Sequence, residues 1–507
     1  MTLKRNLIAN YLGQGWTALM GLAFVPLYIK YLGIEAYGVI GLFAVLQAWL
    51  GLLDMGMTPT LVREMAHFTG GSRSNESIRD LLRSTEIIAV GMAVLITGGI
   101  TLSSNWIATS WLKANALPVE VVAQAFDIMG LVTALRFVEG VYRSAIVGLQ
   151  RQVLLNVVNC TMATLRGLGA VWILIWISPS IEAFFLWQAM ISITTLTVLN
   201  ISTYASISKG TRGGSFSMEA LHSTWRFAGG MVSITFFALL LTQIDKILLS
   251  KLLTLHEFGY YTLASTIAGT LYSLITPITE TFYPKFCELH ARDDRTALIN
   301  NYHKGAQLVS VIAGSVALIV ACFSETFLKL WTQDADLARS LTVLLSLLMV
   351  GNLLNSLMWI PYQMQLAHGL TRLSAYINLI AVIFIVPTII WVTPNYGAIG
   401  AAYVWIILNV GYIFIGAQFI YQKVMVKEKY RWYKNDILAP LIIALLTISI
   451  TKATVNPMEN IITQVLTLAI TLIVTMFASA MTADLIRHQV QTTAKTILKR
   501  LFLTYQR

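Results

Sequence analysis

Arg136, Glu139 and Arg143 lie at i, i+3 and i+7 in one long apolar stretch, a spacing that sets all three on one face of a helix. Arg166 lies in the next apolar stretch, and Asp245 and Lys246 in a later one; Asp127 precedes Arg136 by nine positions, on nearly the opposite face. Ionisable groups inside such stretches are costly to bury and usually face protein or a wet cavity. Guanidinium groups bind phosphate oxygens as a bidentate fork. Arg136, Arg143, Arg166 and Lys246 therefore form a candidate binding set for an anionic group. Asp127, Glu139 and Asp245 are candidates for ion coupling or for ion pairs. A purely structural reading stays open: Glu139 neutralising Arg143 at i+4, Asp245 pairing with an arginine elsewhere, Lys246 in an ion pair of its own.

The elements that must hold these charges are helices in a bilayer. The chain has 507 residues, 56% apolar and only 12% charged, about half the charge of an ordinary soluble domain. Crossing the hydrocarbon takes about 20 apolar residues. Fourteen stretches qualify: 7–29, 37–57, 84–104, 122–149, 153–177, 183–206, 227–253, 258–283, 305–324, 337–361, 372–393, 398–421, 437–453 and 460–481. Barrel-type alternation is absent, so the expected class is all-α integral membrane.

With the amino terminus inside, cytoplasmic segments hold 24 of the 35 Lys and Arg, outer loops five, and spans the other six. This asymmetry places both termini in the cytoplasm and explains the net charge of +11 without a nucleic-acid partner. The first 29 residues, charged and then apolar, read as a retained first helix and not as a signal peptide. Gly13, Gly15 and Gly21 suit close helix approach, and Pro26, Pro277, Pro361 and Pro387 interrupt spans. Asp54 reads as a cap at the end of the second span. Trp106, Trp111, Trp331 and Trp432 are placed for the headgroup layer, and the tail after Thr482 has the pattern of a basic helix on the inner leaflet.

A weak repeat joins the halves. Tyr31-Leu-Gly-Ile-Glu35-Ala-Tyr-Gly38 links the first two spans and Leu253-Thr-Leu-His-Glu257-Phe-Gly259 links the seventh and eighth; Thr58-Pro59 and Tyr283-Pro284 close the second and eighth. Six helices separate the copies, so both have the same orientation, as in transporters built from parallel repeats.

Asn10-Tyr-Leu-Gly-Gln, the run from Pro26 to Gly38, Leu52-Leu-Asp54-Met-Gly56 and Gln243-Ile-Asp245-Lys246-Ile-Leu-Leu together resemble bacterial polysaccharide exporters. These belong to the multidrug/oligosaccharidyl-lipid/polysaccharide superfamily, and the resemblance is greatest to its O-antigen-type flippases. It implies two pseudo-symmetric six-helix lobes, residues 1–206 and 226–421, joined by a cytoplasmic linker at 207–225. Two further helices at 422–481 and a basic cytoplasmic tail at 482–507 follow. It also implies alternating access, and a substrate of oligosaccharide on undecaprenyl diphosphate turned from the inner to the outer leaflet of the bacterial cytoplasmic membrane.

The expected partners are that lipid-linked oligosaccharide, membrane lipids and other polysaccharide assembly proteins. No cofactor or metal is expected, with the membrane potential, H⁺ or Na⁺ as the energy source. Two other functions compete. A multidrug cation antiporter of the same superfamily would need an acidic or aromatic site, whereas this one is cationic. A membrane glycosyltransferase or polymerase would need catalytic groups on substantial outer loops, and the longest, 105–121, offers only Glu120 as an acid. Walker-type loops, metal-ligand spacings and nucleophile elbows are absent from the sequence, so the chain is not expected to be an enzyme.

Overall fold

The computed structural model describes residues 2–54, 57–69, 74–207, 214–218, 225–368, 370–454 and 460–488. Among the described residues every regular element is a helix. The rest of the expected basic tail, 489–507, and most of the linker at 207–225 lie outside the described residues.

Helix α1 (Thr2–Ala23) stops at Phe24, and α2 (Val25–Leu32) restarts with Pro26 in its first turn, where the missing N–H costs nothing. Gly33, at φ +84°, closes α2. After α3 (Ile34–Leu53), Asp54 accepts the backbone N–H and the hydroxyl of Thr58 at 3.0 and 2.7 Å and so caps α4 (Met57–Thr69). Hydropathy gave no sign of α4, an amphipathic helix within a polar stretch. It lies against α6 (Val119–Gly148) so closely that a Cβ on Gly148 would sit 2.5 Å from Met65.

Helix α5 (Asn75–Trp106), capped by Ser74, runs on as a π-helical turn at Ile107–Trp111. With α7 (Gln152–Trp176), α8 (Ile181–Ser206), α9 (Trp225–Leu252) and the start of α10 (Leu255–Ala291), these helices make a compact unit, Met1–Thr262. Its core gathers Leu82, Phe137, Ile146, Met162, Ile191 and Leu199 from α5 to α8. Glu35, at the start of α3, is buried and accepts the backbone N–H groups of Asn115, Ala116 and Leu117, pinning the loop between α5 and α6.

The second unit, Leu263–Arg507, contains α11 (Arg295–Cys322), α12 (Ser324–Thr332), α13 (Ala335–Leu357), α14 (Trp359–Ala367), α15 (Thr371–Gly411), α16 (Ala417–Lys423), α17 (Ala439–Thr454) and α18 (Ile461–Thr482). π-Helical turns at Tyr412–Gly416 and Trp432–Leu438 precede α16 and α17. Helix α15 bends at Gly397 (φ +58°, ψ −148°), a conformation open to glycine and few others. Counted as two, it covers the eleventh and twelfth expected spans and brings the long helices among the described residues to fourteen. By length and composition alone, ten stretches qualify as spans among the described residues.

Three sequence expectations are corrected. Trp432 is fully buried, packed against Tyr421 and Tyr433, because the π-helical turn rotates it into the protein. Of the first-span glycines only Gly13 meets a partner, Asn156 on α7; Gly15 and Gly21 face open space. Pro277 and Pro387 lie inside continuous helices and do not interrupt them.

Candidate functional site

Helix α6 presents Arg136, Glu139 and Arg143 on one face, as their spacing requires. Arg166 arrives from α7, and Gln188 and Ser192 from α8. Glu139 is buried, with 2% of its surface exposed, and lies between two guanidinium groups: Arg166 at 3.5 Å and Arg143 at 3.7 Å. Arg166 also donates to the Ser192 hydroxyl at 3.3 Å. The ion pair read from i+4 spacing therefore exists, but Glu139 shares its charge between two helices.

Arg136 is held differently. It donates to Gln47 Oε1 on α3 at 2.5 Å and to Gln188 Oε1 at 3.4 Å, and its guanidinium lies 5.0 Å from the centre of the Phe43 ring. None of these partners is charged. Three arginines and one glutamate thus leave the cluster with two uncompensated positive charges, held by α3, α6, α7 and α8.

Several buried polar atoms there have no partner among the described residues: Arg136 Nε, Arg166 Nε, Gln47 Nε2, Trp49 Nε1 and Thr133 Oγ1. Each is able to donate. Unpaired buried donors are rare in folded proteins, and a group of them beside uncompensated positive charge suits an acceptor that is itself anionic. Next to it, Leu46 and Trp49 of α3, Met92, Ile96 and Ile100 of α5 and Thr133 of α6 line a largely apolar cavity of about 300 Å³. Thr133 is one turn before Arg136 on the same face of α6, so the apolar slot lies alongside the arginine-bearing face.

The other candidates lie apart from this group in their contacts. Lys246, on α9, reaches Gln243 on its own helix at 3.4 Å. Asp245 accepts the hydroxyl of Tyr261 at 2.7 Å, in place of the arginine considered from sequence, and its second oxygen has no partner among the described residues. One oxygen of Asp127 is likewise buried and unpaired. Sequence reasoning missed Phe43, Gln47, Gln188 and Ser192. A glutamine in an otherwise apolar span was the available signal at 47 and 188.

The model of the polysaccharide biosynthesis protein family matches residues 3–290. Among known proteins, the chain is 19% identical to the "Putative O-antigen transporter" of Shigella flexneri over 80% of its own length and 94% of that protein's. It is 23% identical to the lipopolysaccharide biosynthesis protein WzxC of Escherichia coli (strain K12), over 47% of this chain and 48% of that one. In fold it is similar to the lipid II flippase MurJ in an inward closed conformation, with a TM-score of 0.65 at 13% identity, covering 93% of this chain and 97% of that one. A multidrug resistance MATE family transporter of the MOP superfamily, inward-facing, gives a TM-score of 0.59 at 14% identity over 80% and 96% of the two chains. The fold is the multi-pass helical one of these two solved structures, and the chain belongs to the polysaccharide biosynthesis protein family.

Proposed function

We propose that this protein carries an oligosaccharide linked to undecaprenyl diphosphate from the inner to the outer leaflet of the bacterial cytoplasmic membrane by alternating access. The observation that carries the reading is the arginine cluster, with two uncompensated positive charges and a set of buried donors turned to no partner among the described residues. A diphosphate ester supplies about two negative charges and several acceptor oxygens. Arg136, Arg143 and Arg166 bind that head, and Lys246 meets it at another point of its path. The apolar slot between α3, α5 and α6 suits a hydrocarbon chain beside it.

Both termini face the cytoplasm in this reading, on the strength of the Lys and Arg asymmetry. Outward movement of two negative charges is then favoured by about 4–5 kcal/mol at 100 mV, and Asp127, Glu139 or Asp245 is the carboxylate that a coupling H⁺ or Na⁺ would use.

The test is a reconstituted assay in which purified protein equilibrates a fluorescent undecaprenyl-diphosphate sugar between the leaflets of a vesicle. Leaflet exchange well above that of protein-free vesicles is expected. Failure to move this lipid, together with uptake of a cationic dye, would assign the protein to multidrug antiport instead.

A further inference from the structure

The second unit buries an ionisable network that the proposed function leaves unused. His303, on α11, has none of its surface exposed, and each of its ring nitrogens faces a carboxylate. Nδ1 meets Asp436 Oδ2, and Nε2 meets Glu428 Oε2 at 3.0 Å. Asp436, also fully buried, is carried on the π-helical turn Trp432–Leu438, an irregularity frequent at functional sites. Its other oxygen accepts Gln307 Nε2 at 2.9 Å, and Gln307 Oε1 accepts the backbone N–H of Leu485 at 3.1 Å, just beyond α18. Glu428 is only partly buried and follows Lys427, whose φ of +76° is left-handed.

A neutral imidazole has a single N–H. Satisfying carboxylates at both nitrogens takes a second proton, on the ring or on one of the acids. We propose that His303, Asp436 and Glu428 form a proton-binding site that joins α11, the segment 424–431, the π-helical turn and the start of the segment after α18. When it holds its proton, both contacts of the ring are hydrogen bonds. When the proton leaves, one nitrogen lone pair faces a carboxylate, and the contact to Glu428, the more exposed partner, opens. The segment 424–431 then loosens. Placing this site on the cytoplasmic side rests on the topology proposed above, but proton binding itself does not.

Arg431 meets, at 3.8 Å, the same Glu428 oxygen that faces the His303 ring. Tyr302 of α11 shares a hydrogen bond with Tyr421 of α16, and Tyr433 donates to Ile413 O. Helices α14 and α18 carry no charged residue. The charges of α12 and α13 pair with each other, Glu325 with Lys329 and Asp336 with Arg339, while Lys452 of α17 reaches Cys322 O. Beyond α18, Asp484 pairs with Arg487 at 3.1 Å.

The experiment is amide hydrogen exchange of the purified full-length protein between about pH 5 and 8, read as protection factors so that intrinsic exchange cancels. Wild type is expected to lose protection over 424–436 by about tenfold or more as pH rises, and His303→Gln to show no such pH dependence. A wild-type profile flat with pH overturns the proposal, as does an identical pH response in His303→Gln. If that variant does not fold, Glu428→Gln takes its place: removing the exposed carboxylate should abolish the pH response, and an unchanged response overturns the proposal. No substrate is involved, so the result is independent of whether the flipping reading holds.

Discussion

Gly38 and Gly259 pack directly against each other across the two motifs that mark the repeat. A Cβ on Gly259 would lie 2.3 Å from the carbonyl oxygen of Ile34, and one on Gly38 would lie 2.8 Å from that of Leu255 and 3.3 Å from the Gly259 nitrogen. These clashes are with backbone, which has no rotamer to move. Gly259→Ala is therefore expected to destabilise the protein by about 1–3 kcal/mol, and Gly38→Ala by a similar amount. Gly15→Ala, facing open space, should change little. Thermal unfolding of the purified variants checks all three, and an unaltered midpoint for Gly259→Ala would show that the helices part easily here.

The acids of the same two motifs have different tasks. Glu35 satisfies three backbone donors in a distant loop, whereas Glu257 accepts the backbone N–H of Thr254 at 3.0 Å while the Thr254 hydroxyl accepts that of Glu257 at 3.2 Å. That reciprocal pair is a capping box. Glu35→Ala takes a charged acceptor away from three loop N–H groups and is expected to cost about 1–3 kcal/mol. Glu257→Ala, at an exposed cap, should cost about 1 kcal/mol or less. Hydrogen exchange of residues 112–117 should rise in the first variant only.

Arg136→Ala and Arg166→Ala are expected to abolish export of the lipid-linked sugar while protein remains in the membrane at normal level. Losing one arm of a partly desolvated charge cluster costs about 2 kcal/mol or more in ligand binding. Lysine at either position keeps the charge but loses the planar fork, so a partial defect is expected. Cell-surface polysaccharide and immunoblots of membranes provide the measurement; wild-type polysaccharide in both alanine variants would remove the cluster from the substrate path.

His368, just after α14, lies against His290 with ring centres 4.1 Å apart and the ring planes tilted by 41°, and donates through Nδ1 to Met364 O at 3.0 Å. Burial, outweighing this hydrogen bond, and the neighbouring His290 hold its pKa below the ordinary 6.5. The unfolded chain then takes up a proton more readily than the folded one, so stability from this site is complete above pH 6.5 and falls as the solution is acidified through that value. His368→Gln should flatten that part of the stability profile, measured as the unfolding midpoint against pH. A profile unchanged by the substitution would mean that the ring titrates alike in both states.

Apolar run length and the placement of Lys and Arg determined, by sequence alone, the all-helical membrane class, the long helices and the shared face of Arg136, Glu139 and Arg143, because these depend on local periodicity and on transfer from water to hydrocarbon. Only the tertiary structure decided which helices meet. It brought Arg166 and Gln188 to that face, divided Glu139 between two arginines, gave Asp245 a tyrosine partner and assembled His303 with Asp436 and Glu428 from positions more than a hundred residues apart. Side-chain pairing between helices depends on their rotation and depth, and a hydropathy pattern leaves both undetermined. The π-helical turn that buries Trp432 and carries Asp436 has no signature of its own in residue type.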